Sequence, residues 1–184
     1  HHNVVLVASD FAGGHHNAEA FKAGFEEAGG KVVKEVYAKL GTMDFASFLT
    51  AMDVKGADAV YAWFVGTDSV RFVQQYQEFG LKKRIPLFGY VTIVDDPYLP
   101  SIGDAAVGFY DCFHTVPYID NPQNKIFMSA WQKAYPGVTM DEFGMAGFDL
   151  GTCIVKALDA VGGDPTNTEA LASALHKIEY ESPR

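Results

Sequence analysis

The sequence predicts a doubly wound α/β fold, three layers around a parallel sheet, over roughly its first 110 residues. Three observations carry that prediction. Short apolar runs recur at Val4–Ala8, Val32–Tyr37, Ala59–Phe64 and Pro86–Tyr90, with a fifth at Ala105–Phe109. The first and third are nearly unbroken Val, Ala and aromatic residues, the pattern of strands covered on both faces. Stretches with helical spacing lie between the runs, and regular alternation of strand and helix is the signature of parallel pairing.

Each element follows from its own residues. Val4–Ala8 reads as the first strand, and Asp10-Phe11-Ala12-Gly13-Gly14-His15-His16 as the loop leaving it. In the helix predicted over Ala18–Ala28, Phe21 and Phe25 sit four apart while Glu19, Lys22 and Glu26 point outward. Gly29-Gly30 supplies its stop. Beyond the strand Val32–Tyr37, residues Phe45, Phe48, Leu49 and Met52 keep the spacing of a second helix, with Asp44 as its cap. After the strand Ala59–Phe64, Phe72, Val73 and Tyr76 mark a third helix, started at Thr67-Asp68 and closed by Gly80. Asp68 is expected to cap it. Pro86–Tyr90 and Ala105–Phe109 complete the predicted sheet.

After Phe113 the pattern changes to helices alone, over Gln123–Ala134, Met140–Val161 and Thr166–Ile178, with no convincing strand. In the middle helix Asp149, Thr152, Lys156 and Asp159 form one narrow polar stripe, and Met145, Phe148, Leu150, Cys153, Ile154, Val155, Leu158 and Val161 occupy most of the remaining circumference. A helix so widely apolar is covered by more than one neighbour. Two flanking helices are too little cover, so the chain is expected to be a piece of a larger protein.

Composition removes several functions. The 184 residues carry a net charge of -9, whereas nucleic-acid binding needs clustered Lys and Arg. No stretch approaches the ~20 consecutive apolar residues of a membrane span. Cys112 and Cys153 form no metal-type pair and no C-x-x-C. Cys153 reads as a buried thiol, and a disulfide between the two stays open. His15 and His16 are adjacent, so on a helix they diverge by about 100° and cannot grip one ion; no metal site is expected. Neither G-x-x-x-x-G-K-S/T nor G-x-G-x-x-G nor G-x-S-x-G occurs, so neither a cofactor nor a catalytic residue is expected.

What remains is geometric. In open α/β sheets ligands bind beyond the carboxyl ends of the strands. The loops after the first, third and fourth strands converge there: Asp10–His16, Phe64–Asp68 and Gly89–Thr92. Gly13 and Gly14 allow close approach of backbone, and the helix N-terminus favours an anion. The same first loop also reads as an ordinary strand-to-helix turn.

The segment VVLVASDFAGGHHNAEAFKAGFEEAGGKVV resembles the start of the second lobe of type I periplasmic binding proteins, above all the branched-chain amino acid transporter family, in which a strand, D-Y/F-A-x-G, a helix and G-G-x-V recur. GADAVYAWFVGTDSVRFVQQYQEFGL is similar to that family's next strand, loop and helix. GDAAVGFYDCFHTVPYIDNPQNKIFMSAWQKAYPG resembles the segment that crosses back to the first lobe, and FGMAGFDLGTCIVKAL the buried helix after it. The resemblance spans essentially the whole chain, and its specificity lies in the order and spacing of these segments. It implies a second α/β lobe at 1–112, an interlobe hinge crossing at 113–119, and a helical part of the first lobe at 120–184, whose helices pack on the first lobe's sheet.

The resemblance also implies a function. It points to the solute-binding component of an ABC importer, periplasmic or lipid-anchored, that closes by hinge motion around a small molecule and presents it to a membrane permease. The implied ligand-binding residues are Phe11, Ala12, Gly13 and His15 in the first loop, Phe64, Val65 and Gly66 in the second, and Tyr90, Val91 and Thr92 in the third. The first loop would supply N–H groups and His15, and the others an aromatic and apolar wall; Phe11, Trp63, Phe64 and Tyr90 are the aromatic residues nearby, some of them core, and His15, Thr67 and Thr92 the polar partners. Amino-acid-binding members place Tyr, Tyr and Glu where this chain has Gly13, Val65 and Val91. A buried ammonium without a carboxylate is strongly disfavoured, so the implied ligand is an aromatic or other carboxylate, not an α-amino acid. Without the rest of the first lobe, weak binding is expected. Branched-chain amino acid binding, a receptor's ligand-sensing domain and a flavodoxin-like enzyme are the rival readings, and pairing of two copies through exposed helices stays open.

Overall fold

The computed structural model describes residues 1–114 and 118–184, with backbone alone at Val91. They fall into two compact units, His1–Phe113 and His114–Arg184. Part of the expected crossing, residues 115–117, lies outside the described residues.

The first unit alternates strand and helix: β1 (Asn3–Ser9), α1 (Ala12–Glu27), β2 (Lys31–Ala38), α2 (Ala46–Ala51), β3 (Ala59–Trp63), α3 (Thr67–Glu78), β4 (Leu87–Tyr90), α4 (Leu99–Ile102) and β5 (Tyr110–Cys112). The strands form one sheet in the order β2-β1-β3-β4-β5, and every neighbouring pair is parallel. The chain runs from β1 outward to β2, then crosses back to β3 on the other side. The strand order therefore reverses between β1 and β3, which puts a crevice at their carboxyl ends.

Burial explains the unbroken apolar runs. Val4, Val5, Leu6, Val7 and Ala8 are each 3% exposed or less. Val4, Leu6 and Ala8 pack with Ala18, Phe21 and Phe25 of α1; Val5 and Val7 pack on the other face with Leu49 of α2 and Phe72, Val73 and Tyr76 of α3. Each of the larger side chains so buried contributes about 1.5–3 kcal/mol. The predicted three layers are thus α1, the sheet, and α2 with α3.

Four local expectations are corrected. The first helix begins at Ala12 and not at Ala18, running straight through both glycines and both histidines. Those residues are poor helix formers, but tertiary packing overrides propensity here. A Cβ at Gly14 would collide with the Ser9 carbonyl, so only glycine lets α1 start so close to the end of β1. The apolar run Ala105–Phe109 is not a strand. Gly103 and Gly108 take φ +62° and +86°, Gly103–Ala106 forms a 3-10 turn, and Ala105 packs into the core with Ile102. The fifth strand is the exposed edge Tyr110–Cys112 that follows. Asp68 does not cap α3, whose boundary residue is Gly66 at φ 58°. Its buried carboxylate accepts the Gly41 N–H at 2.7 Å and pairs with Arg71 at 3.2 Å, tying the loop after β2 to α3. Asp44 is not the boundary residue of α2 either, which is Phe45, but from one position further out its carboxylate accepts the Ala46 N–H at 2.8 Å.

The second unit holds α5 (Pro122–Ala134), α6 (Glu142–Ala160) and α7 (Thr168–Leu175), and no strand among its described residues. Asn121, Asp141 and Asn167 each cap a helix, accepting from Asn124, Gly144 and Ala170 N–H. Its small core is Phe127, Met140 and Met145. Asp149 of α6 is buried, accepts from the hydroxyls of Tyr180 and Ser182 and pairs with Arg184, pinning the segment after α7 against the helix. Phe143, Phe148, Leu150, Ile154 and Val155 are exposed, in keeping with the expectation that two flanking helices give α6 too little cover. Cys112 is exposed and Cys153 half-buried, both as free thiols, so Cys153 is less covered than expected.

Candidate ligand-binding site

The residues at the carboxyl ends of β1, β3 and β4 are positioned by the sheet register. Ala8 on β1 lies opposite Trp63 on β3, so the chain leaves both strands side by side at the crevice. Phe11 has extended backbone (φ -156°, ψ 172°); its N–H donates to Ser9 and its carbonyl accepts from His15, both at 3.0 Å. The loop is therefore fixed. Its ring meets that of Trp63 at 5.6 Å between centroids and 46° between planes, an aromatic corner beside the helix start. Trp63, one of the nearby aromatic residues expected from the sequence, lies outside the implied site set. The register that seats it against Phe11 depends on pairing residues more than fifty positions apart.

The first turn of α1 carries no acidic residue and no side-chain cap. The N–H groups of Ala12, Gly13 and Gly14 have no intrahelical carbonyl to reach, and the dipole favours negative charge there. The start of α3 differs, because Asp68 already places a carboxylate in its first turn. Of the two helix starts flanking the crevice, only that of α1 has no acidic residue in its first turn, and Asp10 just before it is engaged by His15.

The other residues implied for the site are distributed as follows. His15 turns toward β2: its Nε2 lies 2.8 Å from Asp10 Oδ1, and its ring stacks on Tyr37 at 4.3 Å. Trp63 is on the opposite neighbour of β1, so His15 and the aromatic corner flank the loop on different sides. Tyr37 donates to Glu35, which also pairs with Lys22 at 2.6 Å. Burial, then the Glu35 carboxylate, pushes the Tyr37 hydroxyl up to about 12, and Lys22 holds Glu35 below its ordinary value. Phe64 is a core residue, 2% exposed, with its ring against Phe45 and Phe72. Val65 and Gly66 are half-buried in the second loop, and a Cβ at Gly66 would lie 3.8 Å from the Tyr98 hydroxyl. The half-buried Tyr90 sets its ring edge-on to Phe113 at 5.0 Å. Val91 begins a 3-10 turn, and its side chain lies outside the described residues. Thr92 is buried with its hydroxyl unpartnered, as is Ser9 at the end of β1.

The arrangement offers an apolar, aromatic surface beside open N–H groups. Among the described residues no group of three or more His, Cys, Asp or Glu side chains is placed to hold a metal ion. Among the described residues no helix is long and apolar enough to cross a membrane.

Comparison with known proteins adds independent findings. The family described as periplasmic binding protein matches residues 1–184. Leu/Ile/Val-binding protein homolog 6 of Brucella melitensis biotype 1 is 32% identical over 98% of this chain and 47% of its own length, so the chain spans about half of that relative. An ABC transporter substrate-binding protein from Sphaerobacter thermophilus is 40% identical, with a TM-score of 0.93 over 99% of this chain and 50% of that one. An ABC transporter solute-binding protein from R. palustris, solved in complex with benzoate, is 29% identical, with a TM-score of 0.91 over 99% of this chain and 49% of that one.

Proposed function

The chain belongs to the periplasmic binding protein family, and from that premise we propose that it is part of the solute-binding component of an ABC importer, taking up an aromatic or other small carboxylate. Residues 1–112 serve as the second lobe, 113–119 as a crossing, and 120–184 as a helical part of the first lobe. The protein binds and releases its ligand unchanged, in the periplasm or on a lipid anchor, and hands it to a membrane permease.

One observation carries the ligand class. The α1 start is free of acid and cap while the aromatic corner of Phe11 and Trp63 stands next to it. A carboxylate directed at the N–H groups and a flat body laid on the rings satisfy both at once. An α-amino acid needs an anionic partner for its ammonium. Gly13, Val65 and Val91 supply none, and Asp10, the nearest carboxylate in the first loop, is engaged by His15. The benzoate bound by the R. palustris protein supports the reading, while the naming of the Brucella relative favours branched-chain amino acids.

A thermal-shift panel on the intact protein separates the two. Benzoate or cinnamate at ~100 times Kd stabilises by about 2.7 kcal/mol, a rise of about 3–5 °C for a protein twice the length of this chain. Leucine and valine are expected to give none. A shift with leucine and none with benzoate overturns the ligand class and leaves the family membership standing.

A further inference from the structure

Position 13 is a half-buried glycine at the foot of the aromatic corner. A Cβ placed there would lie 2.9 Å from Phe11 Cε2, 3.2 Å from Phe11 Cζ and 3.3 Å from Trp63 Cη2. Those distances are below ordinary carbon contact, so something has to yield. Trp63 is held by its place in the sheet, opposite Ala8. The Phe11 backbone is held by its bonds to Ser9 and His15. The tip of the Phe11 ring is the part free to give, by rotation about its side-chain torsions. Gly13 is not required by its own backbone, since it lies inside α1 and takes no positive φ. Its missing side chain has a different use from that of Gly14, where a Cβ would strike backbone.

We propose that Gly13 is the specificity-positioning residue of the site: by leaving no Cβ, it seats the Phe11 ring against Trp63, and that pair selects a planar aromatic acid over an aliphatic one. The proposal rests on the function proposed above. The Phe11 ring, 36% exposed, and the half-buried Trp63 meet at 46°, so a flat ring laid face-on to one lies tilted against the other and contacts both. An aliphatic acid covers the same corner less completely. Any side chain at 13 swings Phe11 away and dismantles the corner without touching the α1 N–H groups that receive the carboxylate. The coupling makes residues 11 and 13 one element: substitution at 13 acts through 11.

Two readouts test this. In the present chain carrying Trp131→Phe, Trp63 is the sole tryptophan. Gly13→Ala is expected to shift its emission to the red, by the same amount as Phe11→Ala. In the intact protein, Gly13→Ala is expected to weaken benzoate at least tenfold by calorimetry, and a short aliphatic acid such as butyrate by a clearly smaller factor, so that the preference for the aromatic acid falls; equal losses for the two acids overturn the proposal. The double variant is expected to bind benzoate no worse than Phe11→Ala alone, as a shared mechanism requires. Alanine is the better helix former, so the circular dichroism of α1 is retained. Benzoate affinity unchanged in Gly13→Ala, or weakened with Trp63 emission unaltered, or losses that add in the double variant, each overturns the proposal and leaves the importer reading intact. A parent protein that binds no aromatic acid overturns both.

Discussion

Single side chains show what burial does to chemistry in this fold. Tyr61 is 8% exposed on β3, stacks on Phe21 at 3.7 Å and donates to Asn17 at 2.7 Å. Burial pushes its hydroxyl up to about 12. The native state thus favours the neutral phenol, while the unfolded chain ionises near pH 10. The contribution is complete below about pH 10 and is lost as pH rises toward about 12, a difference of order 3 kcal/mol. Urea unfolding at pH 9 and pH 11.5 is expected to show about 2 kcal/mol of that loss, and Tyr61→Phe to reduce the total, with Tyr37, Tyr76 and Tyr180, whose hydroxyls are also pushed up, leaving a residual slope in the same window. Equal slopes in parent and variant would refute the assignment. At this scale the sequence was partly legible. The lack of acidic and phenolic groups at Gly13, Val65 and Val91 could be read directly, because it depends only on residue identity. The partners of His15 could not. A histidine at a strand-to-helix junction looks free in the sequence until the fold brings Tyr37 of the neighbouring strand under its ring and Asp10 to its nitrogen.

Among the elements, strands with two buried faces were the most legible, since unbroken apolar runs have few alternatives. Boundaries set by a single close approach were the least. The early start of α1 depends on Gly14 clearing the Ser9 carbonyl, and the late β5 on two glycines diverting the apolar run before it. The loop between β2 and α2 shows a third kind of hidden determinant. Gly41 is held by Asp68, and Gln75 of α3 accepts the Phe45 N–H at 2.7 Å and donates to the Met43 carbonyl at 3.1 Å. A loop with exposed Leu40 and Met43 is thereby fixed to a helix that follows it in sequence. Asp68→Ala is expected to cost about 1.5–3 kcal/mol, the range for hydrogen bonds to charged groups. Hydrogen exchange is expected to accelerate at Gly41–Phe45 before it does in β1. Unchanged protection there would mean that Gln75 alone holds the loop.

For the molecule as a whole, the helical unit presents the sharpest departure from a self-sufficient surface. Leu150 is 63% exposed and Val155 58%, on a helix whose buried positions include Asp149. Covering one such side chain contributes about 1.5–3 kcal/mol, so the isolated chain is expected to self-associate as concentration rises. Sedimentation should show this, and Leu150→Lys with Val155→Glu should abolish it without loss of helix content. A parent that sediments as a monomer throughout would show that the face is tolerated in water. The parallel order of the sheet has a separate consequence, in time. Every strand pairing in the first unit must wait for a crossover through an intervening segment, whereas α6 and α7 meet across a short turn. Closing long loops before any contact rewards them slows folding. The helical unit should therefore gain order first during refolding. One tryptophan stands in each unit, Trp131 in the faster and Trp63 in the slower, so a single chain carries its own pair of clocks.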